Sequence, residues 1–95
     1  MDVDTVEPLI TDAINEVLKS IPENAEEIKK NISALKVENM PEFAYGMIMG
    51  MVMGVCSLIL STQLEELTDK DYMLLKKILY NKTDMIRERV FEQFD

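Results

Sequence analysis

The sequence predicts an all-α protein, and two observations support that prediction. Apolar residues recur at three- and four-residue steps, the period of an amphipathic helix, and no stretch alternates apolar and polar residues as a half-buried strand does. The prolines, Pro8, Pro22 and Pro41, all stand where a helix could begin, because the first turn of a helix accommodates proline. We therefore expect one domain over residues 1–95, built as an elongated four-helix bundle.

The first predicted helix covers about residues 5–19 and the second about residues 22–36. The first is strongly amphipathic, with an apolar stripe made of Val6, Leu9, Ile10, Ala13, Ile14, Val17 and Leu18. The second has a narrower stripe made of Ala25, Ile28, Ile32 and Leu35. Four pairs with a side-chain acceptor three residues before a carboxylate match the spacing of a capping box: Asp4 and Glu7, Ser20 and Glu23, Asn39 and Glu42, Thr68 and Asp71.

The last predicted helix runs over about residues 69–94 and contains a polar tract from Asn81 to Asp84. The step from Leu79 to Ile86 keeps the apolar stripe in line across this tract, and no glycine or proline interrupts it. We expect a continuous helix here. The alternative is a break, with Thr83 capping a fifth, short helix.

The third predicted helix, about residues 40–66, differs from the others because residues 43–60 carry no formal charge. It contains all three glycines, Gly46, Gly50 and Gly54, whose four-residue spacing places them on one helix face. Each glycine in a helix interior costs about 1 kcal/mol relative to alanine. Close approach of a second helix backbone is the usual compensation.

Apolar residues surround this helix, which predicts a long central helix buried on every side. At about 40 Å it is too long for a spherical globule of this size, and the other helices can cover only two flanks. We therefore expect a homodimer to complete the bundle, with an interface made of Gly46, Gly50, Gly54, Met47, Met51 and Ser57. Two alternatives are packing of these glycines within the chain and a single membrane span over residues 43–60.

The composition argues against most covalent chemistry. Histidine is absent, and Cys56 is the only cysteine, so histidine-based catalysis, an intrachain disulfide and multi-thiolate metal sites are excluded. The net charge of -8 argues against direct nucleic-acid binding, which depends on lysine and arginine. The acidic N-terminal sequence lacks the features of a secretory signal, so we expect a cytoplasmic protein.

These observations predict a non-enzymatic protein–protein interaction module that self-associates, binds an unidentified protein and uses no cofactor or metal. One alternative is an acidic inhibitor that mimics nucleic acid and occupies a basic groove. Another is a metal-dependent hydrolase that uses helix carboxylates, since oxygen ligands suit Mg²⁺. Its candidate ligands form two clusters, Glu23, Glu26 and Glu27, and Glu65, Glu66, Asp69 and Asp71. Helix N-termini favour acidic residues, which explains both clusters without a metal.

Overall fold

The computed structural model describes the backbone of residues 3–63 and 68–95, and the side chains of residues 7–62 and 68–95. The described backbone contains helices and no strand, so the all-α prediction is confirmed. The described residues form six helices and not the predicted four: α1 (Val3–Lys19), α2 (Ile21–Lys30), α3 (Ile32–Leu35), α4 (Met40–Gln63), α5 (Asp69–Tyr80) and α6 (Thr83–Glu92).

The second predicted helix is divided in the structure at Asn31. The side-chain amide of Asn31 donates a hydrogen bond of 2.8 Å to the carbonyl of Glu27, which satisfies a carbonyl at the end of α2. The short α3 then ends at Lys36, whose φ of 56° is left-handed and stops the helix. The predicted C-terminal limit is therefore correct, but the helix is not continuous.

The prediction of one continuous helix over residues 69–94 is wrong. The chain turns at Asn81 and Lys82, where the amide of Lys82 donates to the carbonyl of Leu79 at 3.0 Å, a tighter bond than the α-helical pattern. Helix α6 begins after Lys82, which provides no side-chain cap. Leu79 and Ile86 are nevertheless both fully buried, so the seven-residue step keeps the apolar stripe facing the core across the break.

Among the predicted capping boxes, only that of Thr68 and Asp71 forms completely in the described side chains, with bonds in both directions at the start of α5. The side chain of Asn39 accepts from the amide of Glu42 at 3.2 Å. The hydroxyl of Ser20 instead donates to the carbonyl of Val17 at 2.6 Å and does not cap α2. Asp4 lies outside the described side chains.

Helix α4 is the centre of the fold and packs against α1, α2, α5 and α6. At 1.5 Å per residue it is about 36 Å long, which suits a molecule with extents of 44 × 23 × 19 Å. It contributes one row of buried side chains to the core, here named the core row: Ala44, Ile48, Val52, Cys56 and Leu60. The packed helices contact α4 on the side of the core row. The opposite side of α4 is exposed.

Candidate interaction face on helix α4

Two rows of residues run along opposite sides of α4. The core row advances in steps of four residues, and a second row, Gly46, Gly50, Gly54 and Leu58, advances in the same steps but two positions later. A shift of two residues corresponds to about 200° around an α-helix. The second row, here named the glycine row, therefore faces away from the core along the whole length that the core row covers.

The prediction that this helix is buried on every side is wrong. All three glycines are exposed, and Leu58 keeps 64% of its surface accessible. A Cβ atom built at Gly46, Gly50 or Gly54 would lie more than 4 Å from every described atom other than those of its chain neighbours and the adjacent backbone of its own helix. The alternative that another helix of the same chain packs on the glycines is also contradicted, because the described bundle has no layer on this side of α4.

Methionines flank the glycine row on both sides. Met47 and Met51 lie along one edge, and Met49 and Met53 lie along the other. Met51 and Met53 are exposed, whereas Met47 and Met49 are half-buried and pack against the core. The three glycines of the row thus form the floor of a shallow furrow between two flexible, apolar walls, and Leu58 projects at its end.

The predicted interface residues divide into two groups in the structure. Gly46, Gly50, Gly54 and Met51 lie on the exposed surface of α4, and Met47 and Ser57 are half-buried. The sulfur of Met51 also lies 4.0 Å from the side-chain nitrogen of Asn24 in α2, which places that edge of the face beside α2.

Sequence reasoning missed four exposed apolar residues of the same surface: Phe43, Met53, Val55 and Leu58. A usable signal existed for Leu58, because it stands four residues after Gly54 and continues the row. The complete surface, here named the outer face of α4, consists of the glycine row, the four flanking methionines, Phe43, Val55 and Ser57.

A shallow apolar groove adjoins the outer face where α4 passes α2 and α3. Its volume is about 360 Å³. The apolar side chains that line it are Ile28, Ala34, Leu35, Phe43 and Met47. Since Phe43 and Met47 belong to both surfaces, the groove extends the apolar area of the outer face towards α3.

The only charged residue of α4, Glu42, stands four residues before Gly46, in the same four-residue series as the glycine row, and it forms an ion pair with Arg87. Arg87 of α6 donates to both carboxylate oxygens of Glu42, and its guanidinium group lies 4.2 Å from the ring centroid of Phe91 and 5.2 Å from that of Tyr45. The hydrogen bond from Arg87 lowers the pKa of Glu42, and the same bond raises the pKa of Arg87. The outer face consequently carries no net charge.

The described residues contain one thiol and no cluster of metal ligands. Cys56 is fully buried, and burial raises the pKa of its thiol to about 11, so the reactive thiolate is scarce at neutral pH. No three or more Asp, Glu, Cys or His side chains in the described part of the chain are close enough to hold a metal ion. Glu65 and Glu66 of the second acid cluster lie outside that part.

Helix α4 is long and apolar enough to cross a membrane over Met40–Thr62, with a mean hydropathy of 2.0 in its most apolar window and 28% of that window buried. The buried share is the core row, which holds the other helices together.

The chain matches no known protein family, no curated protein and no solved structure.

Proposed function

We propose that the protein is a non-enzymatic protein–protein interaction module and that the outer face of α4 is its binding surface. The observation that carries the proposal is the position of the glycine row, which lies opposite the core row and is exposed in the part of the chain that the structure describes. Apolar surface of this kind on a small protein is typical of a binding site.

The chemistry of the outer face supports binding rather than catalysis. A catalytic site brings together polar side chains that act as acids, bases or nucleophiles. The outer face instead offers methionine, glycine and aliphatic side chains, with Ser57 as its polar exception. Methionine side chains adapt their shape to a partner, which suits recognition between apolar surfaces.

The arrangement of charges gives less support to an acidic mimic of nucleic acid than the outer face gives to a protein-binding module. That function requires carboxylates gathered on one face. Exposed carboxylates stand instead on several helices, and two of them pair with lysines of their own helix, Glu16 with Lys19 at 2.9 Å and Glu26 with Lys29 at 3.5 Å. The hydrolase alternative would need its two acid clusters to converge on a cation.

A membrane-associated protein is the second candidate function, favoured by the length and hydropathy of α4. Inserting α4 across a bilayer would withdraw Ile48, Val52 and Cys56 from the amphipathic stripes of α1 and α2, which then need another apolar partner. The lack of lysine or arginine anywhere in α4 also leaves the ends of the helix without the usual cationic anchors. We therefore place protein binding first.

Matched charge substitutions test the proposed surface. Met53→Glu introduces a carboxylate on the outer face, and Met73→Glu introduces the same group on the exposed surface of α5. Tagged forms of the wild type and of both variants are used to capture proteins from a lysate of the source organism. We expect the wild type and Met73→Glu to retain the same proteins and Met53→Glu to lose them. Equal retention by all three would show that the module binds through another surface.

A further inference from the structure

We propose that the groove between α2, α3 and the start of α4 binds an arginine of a partner protein together with the apolar residues next to it. This inference rests on the proposed function, because it names the chemistry of a partner for the interaction module. The groove supports it through a carboxylate, a set of hydrogen-bond acceptors and an aromatic ring.

The α2 wall of the groove carries a carboxylate that has no cation. Glu27 lines the groove and is exposed, and it forms no ion pair with any lysine or arginine of the described residues. Its neighbour Glu26, by contrast, pairs with Lys29 at 3.5 Å. A carboxylate beside an apolar groove suits a long cationic side chain, whose stem can lie on the apolar surface while its charged head meets the carboxylate.

The other polar groups on the same wall are also acceptors. Asn24 and Asn31 line the groove, and the side-chain nitrogen of each is engaged within α2 and its N-cap, where Asn24 donates to the hydroxyl of Ser20 at 3.0 Å and Asn31 to the carbonyl of Glu27 at 2.8 Å. Neither amide oxygen accepts a hydrogen bond from a described residue. A wall of acceptors suits a ligand group made only of donors, and the guanidinium group of arginine is such a group.

The α4 wall supplies an aromatic ring that also lacks a cation. Phe43 lines the groove and keeps 39% of its surface accessible. The other two phenylalanines each have a cation near the ring centroid, Arg87 at 4.2 Å from that of Phe91 and Lys29 at 5.3 Å from that of Phe94. None of the described lysines and arginines lies over the ring of Phe43. The face of an aromatic ring attracts a cation, so Phe43 adds to the pull of the carboxylate.

The chain itself contains the filled form of this arrangement. Arg87 pairs with the carboxylate of Glu42 and lies over two aromatic rings. Glu27 and Phe43 bring the same two kinds of group to one groove of about 360 Å³, without an arginine between them. Arginine fits such a site better than lysine, because its planar guanidinium group can pair with a carboxylate and stack on a ring at once.

The floor of the groove and the overall charge define the rest of the partner. Ile28, Ala34, Leu35 and Met47 offer an apolar surface, so we expect apolar residues beside the arginine. The net charge of -8 attracts basic partners and repels acidic ones. The occupant is therefore an apolar segment that carries arginine.

Peptide titrations followed by the NMR shifts of backbone amides test the inference. The probe is the blocked tripeptide acetyl-Leu-Arg-Leu-amide, and its matched control carries citrulline, which has the shape of arginine without the charge. We expect the arginine peptide to shift the amide signals of the groove residues. It should bind about tenfold more tightly than the citrulline peptide, as expected for one exposed ion pair together with one cation–π contact. This preference should shrink as sodium chloride is added.

Two substitutions assign the preference to the groove. Glu27→Gln keeps the shape of the side chain and removes its charge, and Phe43→Leu removes the ring and keeps an apolar side chain. Each should reduce the preference for the arginine peptide about threefold, since each removes one of the two contacts. Glu88→Gln removes the same charge from the exposed surface of α6 and should leave the preference unchanged.

Three outcomes overturn the proposal. In the first, the wild type binds both peptides equally or shows no shifts in the groove. In the second, Glu27→Gln and Phe43→Leu leave the arginine preference unchanged, which places the binding elsewhere. In the third, ethylguanidinium chloride binds as tightly as the peptide, which makes the groove a site for a small organic cation and not for a protein segment.

Capture from a lysate separates this inference from the proposed function. An arginine preference in the groove, with capture that Met53→Glu leaves intact, retains the groove and overturns the outer face as the binding surface. Absence of peptide binding, with captured proteins lost in Met53→Glu, overturns the groove and retains the interaction module.

Discussion

Helices α1 and α4 bury similar rows of aliphatic side chains in one core, but the faces they turn outward are opposite in character. In α1, Ile10 and Ile14 are fully buried, and Asp12 and Glu16 are exposed on the outer surface. In α4, Ile48 and Val52 are equally buried, but the outward positions are glycines, methionines and Leu58.

The comparison separates the requirements of the fold from those of the site. Both helices satisfy the core in the same way, so the fold demands only one apolar row from each. Solvated helix faces tolerate charged residues, as α1 shows, whereas three glycines in α4 weaken its intrinsic helix preference by about 1 kcal/mol each. A Cβ added at any of those glycines would meet no described neighbour within 4 Å, so packing among the described residues does not explain why glycine occupies these positions.

The largest expected effect comes from truncating the core row. Ile48→Ala should lower the free energy of unfolding by about 3 kcal/mol, because it removes buried atoms and leaves a cavity. Met53→Ala, on the opposite side of the same helix, should change it by less than about 0.5 kcal/mol. Urea denaturation at a concentration where the protein is monomeric measures both values.

Ile14→Ala in α1 is the matched control for the core and should resemble Ile48→Ala, since both isoleucines are almost completely buried. An equal loss for Met53→Ala and Ile48→Ala would contradict the comparison, because it would mean that both sides of α4 are covered within one chain.

A smaller effect of opposite sign is expected at the glycine row. Gly50→Ala should raise the free energy of unfolding of the monomer by up to about 1 kcal/mol, because alanine has the higher helix preference and its Cβ meets nothing within 4 Å. Thermal and urea unfolding measure the change.

If Gly50→Ala destabilised the monomer, the glycine would have a packing role inside the chain, which would contradict the uncovered furrow.

The sequence was sufficient to predict the helical class and most helix limits. Periodicity located the apolar stripe of α1, and the spacing of Thr68 and Asp71 located the start of α5 within a residue. The sequence offered the break at Asn81 only as an alternative, because Leu79 and Ile86 remain in line whether or not the helix is interrupted. The tract contains no glycine or proline to mark the break, at which the amide of Lys82 donates to the carbonyl of Leu79.

The sequence predicted only part of the outer face of α4, and the reason differs from the reason for the missed break. Composition shows that α4 is apolar all around, but it does not show how many helices are available to cover it. The prediction that every side is buried assumed that apolar residues are always enclosed within the chain. A four-residue period that separates Ile48 and Val52 from Gly46 and Gly50 was present in the sequence, and it would have shown that these two sets lie on opposite sides.

The smallest expected effect concerns the polar end of α4, where Glu42 meets Arg87. Arg87 lowers the pKa of Glu42 in the folded state, so the pair stabilises the protein above the unfolded pKa of glutamate, about 4.3. This contribution is lost as the pH falls through the lowered folded pKa. Glu42→Gln should therefore unfold at a lower urea concentration than the wild type at pH 7, and the difference should vanish in strongly acidic solution. The loss should be small, because Arg87 keeps its contacts with Tyr45 and Phe91 and the pair is exposed to solvent.

Glu16→Gln, which removes a single hydrogen bond to Lys19 on α1, is the control and should lose less at pH 7. An equal effect of the two substitutions would show that the charge pair on α4 holds α6 no more firmly than an ordinary surface pair of α1.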